Sequence, residues 1–169
     1  MKHKQFLWKV KKSKIHGFGI IASVNIKKGE KIIQYIGEKV SKKEGDKRSA
    51  ERIKNFLNKE DVGSVYIFEL NKKYDIDGSP LYNNARYINH SCKPNCEVDI
   101  INNEIWIISI ANIKKGSELS YDYGYQFDKD DFRDHVCKCA SKYCIGYIIS
   151  QDHWSKYIKY ISKVAKLKN

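Results

Sequence analysis

A chain of 169 residues with 41% hydrophobic and 12% aromatic residues and only 2 Pro is large enough for one well-buried domain and too apolar for global disorder. Lys and Arg outnumber Asp and Glu by 32 to 20, a formal charge of +12, which favours acidic partners such as nucleic acid, although solubility together with heavy use of Lys, Ile and Asn explains the same excess. The opening MKHKQFLWKVKKSK lacks the apolar run of a secretory signal, and the longest apolar stretch, IWIISIANI at 105–113, is far short of the ~20 residues of a membrane span, so an intracellular protein without a membrane partner is expected.

In chain order, FLWKV, GFGIIAS and KIIQYIG between Phe6 and Gly37 predict three short strands, rich in β-branched and aromatic residues and broken by turn signals such as the KKG at 27–29. Residues 41–60, SKKEGDKRSAERIKNFLNKE, predict a helix capped at Ser41, with Ile53, Phe56 and Leu57 as its apolar positions. Strands resume at 64–70, 73–77, 96–101 and 104–110, the last two joined by an Asn102-Asn103 hairpin turn. The segments NIKKGEKI at 25–32 and NIKKGSEL at 112–119 echo each other; with no third copy they read as two similar turns entering strands rather than a repeat array. From about Asp152 an amphipathic helix is predicted, with Trp154, Ile158 and Ile161 on its apolar side, Tyr157 and Val164 nearby, and lysines outside. Many short strands without βαβ alternation make the chain a mostly β, β-rich α+β protein and exclude a doubly wound nucleotide fold.

Three features carry chemistry. Cys137, Cys139 and Cys144 are three of the five cysteines and fall within eight residues. A tetrahedral zinc site would ask for a fourth ligand, for which Cys92 and Cys96 in the segment NHSCKPNC are the candidates and His135 a lesser one. Gly17-Phe18-Gly19 taken alone is only a tight turn. Tyr121 and Tyr123 end a predicted strand in SYDYGY; singly, such tyrosines are more often core than catalytic.

Together, IHGFGIIAS, IIQYIGE, YIFEL, YDIDG, NNARYINHSCKPNC, GSELSYDYGY and CKCASKYCIGYI resemble, in order and spacing, the SET-domain protein lysine methyltransferases with a post-SET zinc motif, over about residues 5–149. The resemblance implies a fold of small β-sheets around a pseudoknot with one inserted helix and a C-terminal helix. It divides the chain into a SET domain at 5–127 with an inserted helical segment at 41–64, a zinc-binding tail at 128–149 and a basic amphipathic helix at 150–169. It further implies S-adenosylmethionine as cofactor, met by Gly17, Phe18, Gly19, Tyr66, Arg86, Tyr87, Asn89 and His90, and a zinc ion held by Cys92, Cys137, Cys139 and Cys144, with Cys96 left as a buried spare thiol.

By the same resemblance, Tyr123 is the tyrosine whose hydroxyl lies beside the transferring methyl, and Tyr35 and Tyr121 wall the lysine channel. A tyrosine rather than phenylalanine at 121 implies mono- or dimethylation. Two positions depart from the family pattern: Tyr82 stands where glycine is usual and Ile145 where arginine is usual. The expected partner is a protein with a target lysine, a histone or nucleosome first and a non-histone protein second, with DNA contact through the basic surface; the expected location is nuclear and chromatin-associated for a eukaryotic protein or a host-directed effector, and cytoplasmic otherwise, and the oligomeric state is left open, a monomer included. The competing reading is a non-catalytic, zinc-stapled chromatin or nucleic-acid binding module, for which Tyr123 and Asn89 would have no use.

Overall fold

The computed structural model describes residues 6–56 and 66–167. Four small sheets account for the strands among the described residues. Strands β1 (Trp8–Lys12) and β2 (Phe18–Ala22) form an antiparallel pair, while β3 (Lys31–Tyr35) lies beside a hairpin of β8 (Cys96–Ile101) and β9 (Glu104–Ser109). A third sheet orders β4 (Glu38–Ser41), β6 (Tyr74–Asp77) and β5 (Ile67–Glu69). In the fourth, β10 (Ser120–Tyr121) runs parallel to β7 (Asn89–His90), the one parallel pair among the described strands. Helices α1 (Lys42–Phe56) and α2 (Trp154–Lys166) complete the fold, and no helix among the described residues is long and apolar enough to cross a membrane. The mostly β architecture agrees with the expectation.

Local chemistry explains most element boundaries. The hairpin turn falls on Asn102 and Asn103, both left-handed with φ of 52° and 62°, as a two-residue primed turn requires. The Ser41 Oγ accepts the backbone N–H of Glu44 at 3.3 Å, the bond expected of an N-cap. The two NIKKG segments lie side by side: Ile26 and Ile113 exchange backbone hydrogen bonds of 2.9 and 2.8 Å. Their matching sequences thus build one local two-fold contact in the core, where both isoleucines are buried.

Strand β4 was not expected, because Glu38-Lys39-Val40-Ser41 offers one apolar residue; pairing with β6 creates it. Helix α1 also differs from its apolar reading. Ile53 is exposed, while Leu57 and the rest of the stretch to 60, like the first two residues of the strand expected at 64–70, lie outside the described residues. The described part of the helix docks instead through charge: Lys42 reaches buried Asp75 at 2.6 Å, and Arg48 and Arg52 reach buried Asp77 at 2.9 and 2.8 Å. The Asp77 carboxyl is consequently held well below the usual carboxylate range: burial opposes this, but Arg52, Arg48 and Ser79 overcome it by hydrogen bonding.

The main core lies between β2, β3, β8 and β9, with Ile20, Ile105, Ile107 and Leu119 at its centre. A second, smaller cluster gathers Phe127, Phe132 and Ile149 with Trp154, Tyr157 and Tyr160 of α2. The inner side of α2 is therefore aromatic, and Ile158 and Ile161, read from sequence as its apolar side, are 54% and 37% exposed. The large rings outcompete them because burying an aromatic ring removes more apolar area and adds edge-to-face ring contacts, here from Phe127 and Phe132 to Tyr157 at 5.7 and 5.5 Å.

Candidate active site

The site forms where β7, β10, the turn before β2 and the 78–87 segment converge. Parallel pairing sets Ser120 beside Asn89 and Tyr121 beside His90, and the loop after β7 is fastened to β10 by Ser91 N–H to Tyr121 O at 3.1 Å and Asn95 N–H to Ser120 O at 3.2 Å. Gln151 adds a clamp from the far end of the chain. Its Nε2 donates to Cys92 O at 3.0 Å and its backbone N–H to Asp122 Oδ2 at 2.9 Å.

Aromatic rings run through the centre in sequence. Tyr35 meets Phe68 at 4.5 Å, Phe68 meets Tyr121 at 5.8 Å, Tyr121 meets Tyr123 at 5.1 Å, and Tyr123 meets Tyr125 at 6.0 Å. Tyr35 is held at its hydroxyl end, the hydroxyl donating to Tyr66 O at 3.0 Å and the ring edge lying against Gly78, where a Cβ would come within 2.1 Å of Cε1. Only a glycine permits that contact. Tyr123 donates its hydroxyl to Ile88 O at 3.0 Å. Burial pushes the hydroxyls of Tyr35, Tyr121 and Tyr123 above their ordinary value, so all three stay protonated at neutral pH. Phe68 and Tyr125 were not singled out from the sequence. Phe68 was one residue of a predicted strand, and its place in the ring series depends on which sheet that strand joins.

His90 links two parts of the site. Buried, with its pKa lowered by desolvation against the opposing charge of Asp122, it is neutral. Its Nδ1 accepts the Tyr123 N–H at 3.3 Å, which assigns the ring proton to Nε2, 3.6 Å from Cys92 Sγ. Asn89 faces the other way. Its Nδ2 lies within hydrogen-bonding distance of Phe18 O at 3.1 Å and Glu118 Oε1 at 2.8 Å, fastening the Gly17-Phe18-Gly19 turn, whose Gly17 has φ of +48°.

Next to that turn the Phe18 ring is 59% exposed and stands edge-on to Tyr87 at 5.8 Å. The Arg86 guanidinium lies over the Tyr66 ring at 4.3 Å and donates from Nη1 to Ser79 O, while its buried Nε has no hydrogen-bond partner among the described residues. A buried N–H without an acceptor costs about 1–3 kcal/mol. An exposed ring beside an unmatched cationic donor fits a cofactor with an aromatic base and a carboxylate, as S-adenosylmethionine has. Tyr82 projects outward, 62% exposed.

Cys92, Cys137, Cys139 and Cys144 bring their sulfurs within 4.8 Å of one another. Cys92 Sγ is 3.8 Å from Cys137 Sγ and 4.0 Å from Cys144 Sγ, against about 3.8 Å for sulfurs around a tetrahedral ion with metal–sulfur bonds of ~2.3 Å. Burial pushes the Cys92 thiol up to about 12 and the Cys137 thiol above its ordinary value, whereas at Cys139 burial is outweighed by hydrogen bonds from backbone and neighbouring thiols, which lower it to about 7; collecting several thiolates this close together calls for a cation. Zinc fits this donor set. The other two candidates stand apart from it: Cys96 is buried with its thiol on Asn95 Oδ1 at 3.4 Å, and His135 stands edge-on to Tyr125 at 5.1 Å. The backbone around the tail is ordered by Cys137 N–H to Gly146 O at 2.9 Å and by a left-handed Gly146 at φ of +89°, while Ile145, the departure from the family pattern, packs toward the aromatic cluster of α2.

Comparison with known proteins places this geometry in context. The SET domain model matches residues 17–124, which span β2 through β10 and both halves of the site. A protein of Emericella nidulans called "Histone-lysine N-methyltransferase, H3 lysine-4 specific" is 36% identical over 141 residues, covering 81% of this chain and 11% of that protein. The "Histone-lysine N-methyltransferase set-2" of Caenorhabditis elegans is 34% identical over 152 residues, 88% of this chain and 10% of that one. A Schizosaccharomyces pombe protein with the same name as the Emericella one is 36% identical over 140 residues, covering 80% of this chain and 14% of that protein. The chain spans about a tenth of the length of the first two of these curated relatives.

Proposed function

The chain belongs to the SET-domain family, and on that premise we propose that it transfers a methyl group from S-adenosylmethionine to the side-chain amine of a lysine in a protein, a histone first among the candidates. Residues 5–127 would be the catalytic unit with its insertion at 41–64, residues 128–149 the zinc-stapled tail, and 150–169 an appended basic helix; a nuclear, chromatin-associated role follows from the substrate. Relatives named for histone H3 lysine 4 support the substrate class.

When bound, S-adenosylmethionine supplies an electrophilic methyl group on a sulfonium. Gly17, Phe18, Gly19, Asn89 and His90 would hold it by backbone and ring contacts, Tyr66 and Tyr87 would flank it, and the unmatched Arg86 Nε would meet its carboxylate. Tyr35, Phe68 and Tyr121 would wall the passage for the lysine stem. An apolar passage disfavours the ammonium form, whose free pKa is about 10.4, and so helps deliver the neutral amine that can attack. Holding amine and methyl end to end could contribute about 7–11 kcal/mol of barrier reduction.

The observation that carries this reading is the seating of Tyr123. Its hydroxyl donates to Ile88 O at 3.0 Å and burial keeps it protonated, so it is unsuited to act as a general base. Its oxygen keeps its lone pairs as acceptors for the C–H bonds of a polarised methyl group. The role supported is orientation and electrostatic stabilisation. At position 121 a hydroxyl, alone or through a water, would occupy room that a more highly methylated amine needs, which supports mono- or dimethylation.

The test is incubation of the zinc-loaded chain with labelled S-adenosylmethionine and nucleosomes, free histones or a cell lysate, with the modified lysine read by mass spectrometry. Tyr123→Phe should lower the rate about a hundredfold, the scale of removing one preorganised polar group from a transition state, while the far-ultraviolet circular dichroism stays unchanged. A well-folded, metal-loaded chain with no affinity for S-adenosylmethionine would overturn the enzyme reading in favour of a non-catalytic chromatin module.

A further inference from the structure

Helix α2 carries a surface that methyl transfer does not use. Its inner side is spent on packing, with Trp154, Tyr157 and Tyr160 against Phe127 and Phe132. On another side, Lys156, Lys159, Lys163 and Lys166 recur every three or four residues and therefore form one row. Ten residues at 1.5 Å each make that row about 15 Å long. All four lysines are exposed, the helix contains no acidic residue, and among the described residues none of the four takes part in an ion pair. Helix α1 is the contrast: its Lys42, Arg48 and Arg52 are spent on Asp75, Asp77 and neighbouring glutamates.

The row continues onto the adjacent loop. A cleft of about 450 Å³ is lined by Lys129, Lys156, Lys159 and Lys163 around Phe127 and Tyr160, with Asp128 and Asp130 offsetting part of the charge. The local balance stays positive, four lysines against two aspartates.

We infer that this lysine row docks the phosphate backbone of double-stranded nucleic acid. Charge complementarity selects that occupant. Phosphates of one strand rise ~3.4 Å each along the axis but also wind around it, so a straight 15 Å row meets about two or three of them, with the remaining lysines adding to the positive field. Single strands are disfavoured because the aromatic rings beside the row are spent on packing: Phe127 is buried and Tyr160 is half-buried in the α2 cluster, so no stacking platform is offered. A lipid surface would engage exposed Ile158 and Ile161, which lie about 120° and about 180° around the helix from the middle of the row at 100° per residue, and a flat membrane meets only one of these two sides. The inference rests on the chromatin reading above for its biological partner, but the contact itself requires no methyl donor.

The test is fluorescence anisotropy of the zinc-loaded full chain with a labelled duplex of ~20 base pairs, across salt from ~50 to ~200 mM and without cofactor. The combined variant Lys156→Gln, Lys159→Gln, Lys163→Gln, Lys166→Gln should bind at least about tenfold more weakly at ~100 mM salt and lose about 1.8–2.7 from the slope of log K against log salt, at 0.9 per phosphate contact. The matching Lys→Arg set should bind as the native chain does, and Lys27→Gln, Lys28→Gln, Lys114→Gln, Lys115→Gln, on the turns of the two NIKKG segments, should change binding far less. An unchanged slope in the α2 Gln variant, an equal loss in the turn variant, or tighter binding to anionic phosphatidylserine vesicles or to single strands than to the duplex would each overturn the inference. Duplex binding that persists in a chain shown unable to bind S-adenosylmethionine would leave this inference standing and remove only the enzymatic one.

Discussion

Replacing Asp77 with Asn tests how the inserted helix is held and how that support reaches the site. Asp77 is 2% exposed and accepts from Arg52 Nη1 at 3.0 Å, Arg52 Nη2 at 2.8 Å, Arg48 Nη1 at 2.9 Å and the Ser79 backbone N–H at 3.1 Å. Asn keeps the shape but removes the charge and turns an NH2 toward the arginines. Breaking a buried pair costs about 3–5 kcal/mol, and the lower end applies here because the guanidinium-bearing side chains are 26% and 27% exposed and retain water. About 3 kcal/mol in a domain of this size is a fall of roughly 6–12 °C in Tm.

The pH dependence has a definite sign. The folded carboxyl titrates below its unfolded value of about 3.9, so its stabilisation is complete above that value and is lost as pH falls through the depressed folded one. Urea unfolding at neutral pH and at pH ~3 should therefore show the native chain and Asp77→Asn converging toward acid. Because Gly78 follows Asp77 and carries the Tyr35 ring, methyl transfer should fall as well. A loss below about 1 kcal/mol at neutral pH, the range of a surface pair, or a gap that persists unchanged in acid, would refute the reasoning.

Three further outcomes are expected. Gly78→Ala places a Cβ 2.1 Å from the Tyr35 ring, so it should cost about 1–3 kcal/mol, as overpacking does, and raise KM for the protein substrate; urea midpoints and steady-state kinetics check both. Tyr121→Phe should leave stability within about 1 kcal/mol, as a near-isosteric core change does, and shift product toward higher methylation in the mass spectrum. Elemental analysis should find one zinc per chain. Chelation, or Cys92→Ser, should release it and raise hydrogen exchange across residues 137–149, and it should also weaken S-adenosylmethionine binding, because His90 ties Cys92 to the Tyr123 backbone.

Much of the molecule was legible in the sequence because the relevant signals are local. The Asn102-Asn103 turn, the Ser41 cap and the strand cores need only a few consecutive residues to be read, and the structure has all of them. The ordered motifs resembling the SET domains were legible for the same reason, each being a short run of consecutive residues that can be read without its partners.

Where two solutions looked alike in sequence, only the assembled chain decided. Cys92 and Cys96 are four residues apart and chemically identical, yet one enters the sulfur cluster and the other bonds Asn95, because the loop after β7 is fastened to β10 and to Gln151. Helix α2 could have turned either its isoleucines or its tyrosines inward, and Phe127 and Phe132, brought in from a distant loop, chose the rings. Helix α1 has a pattern that permits an apolar contact, but two buried aspartates on β6 bind it by charge. Phe68 joined the tyrosines only once β5 had paired with β6. Periodicity and residue type are properties of neighbours along the chain, whereas the choice of partner is made by contacts between residues far apart in it.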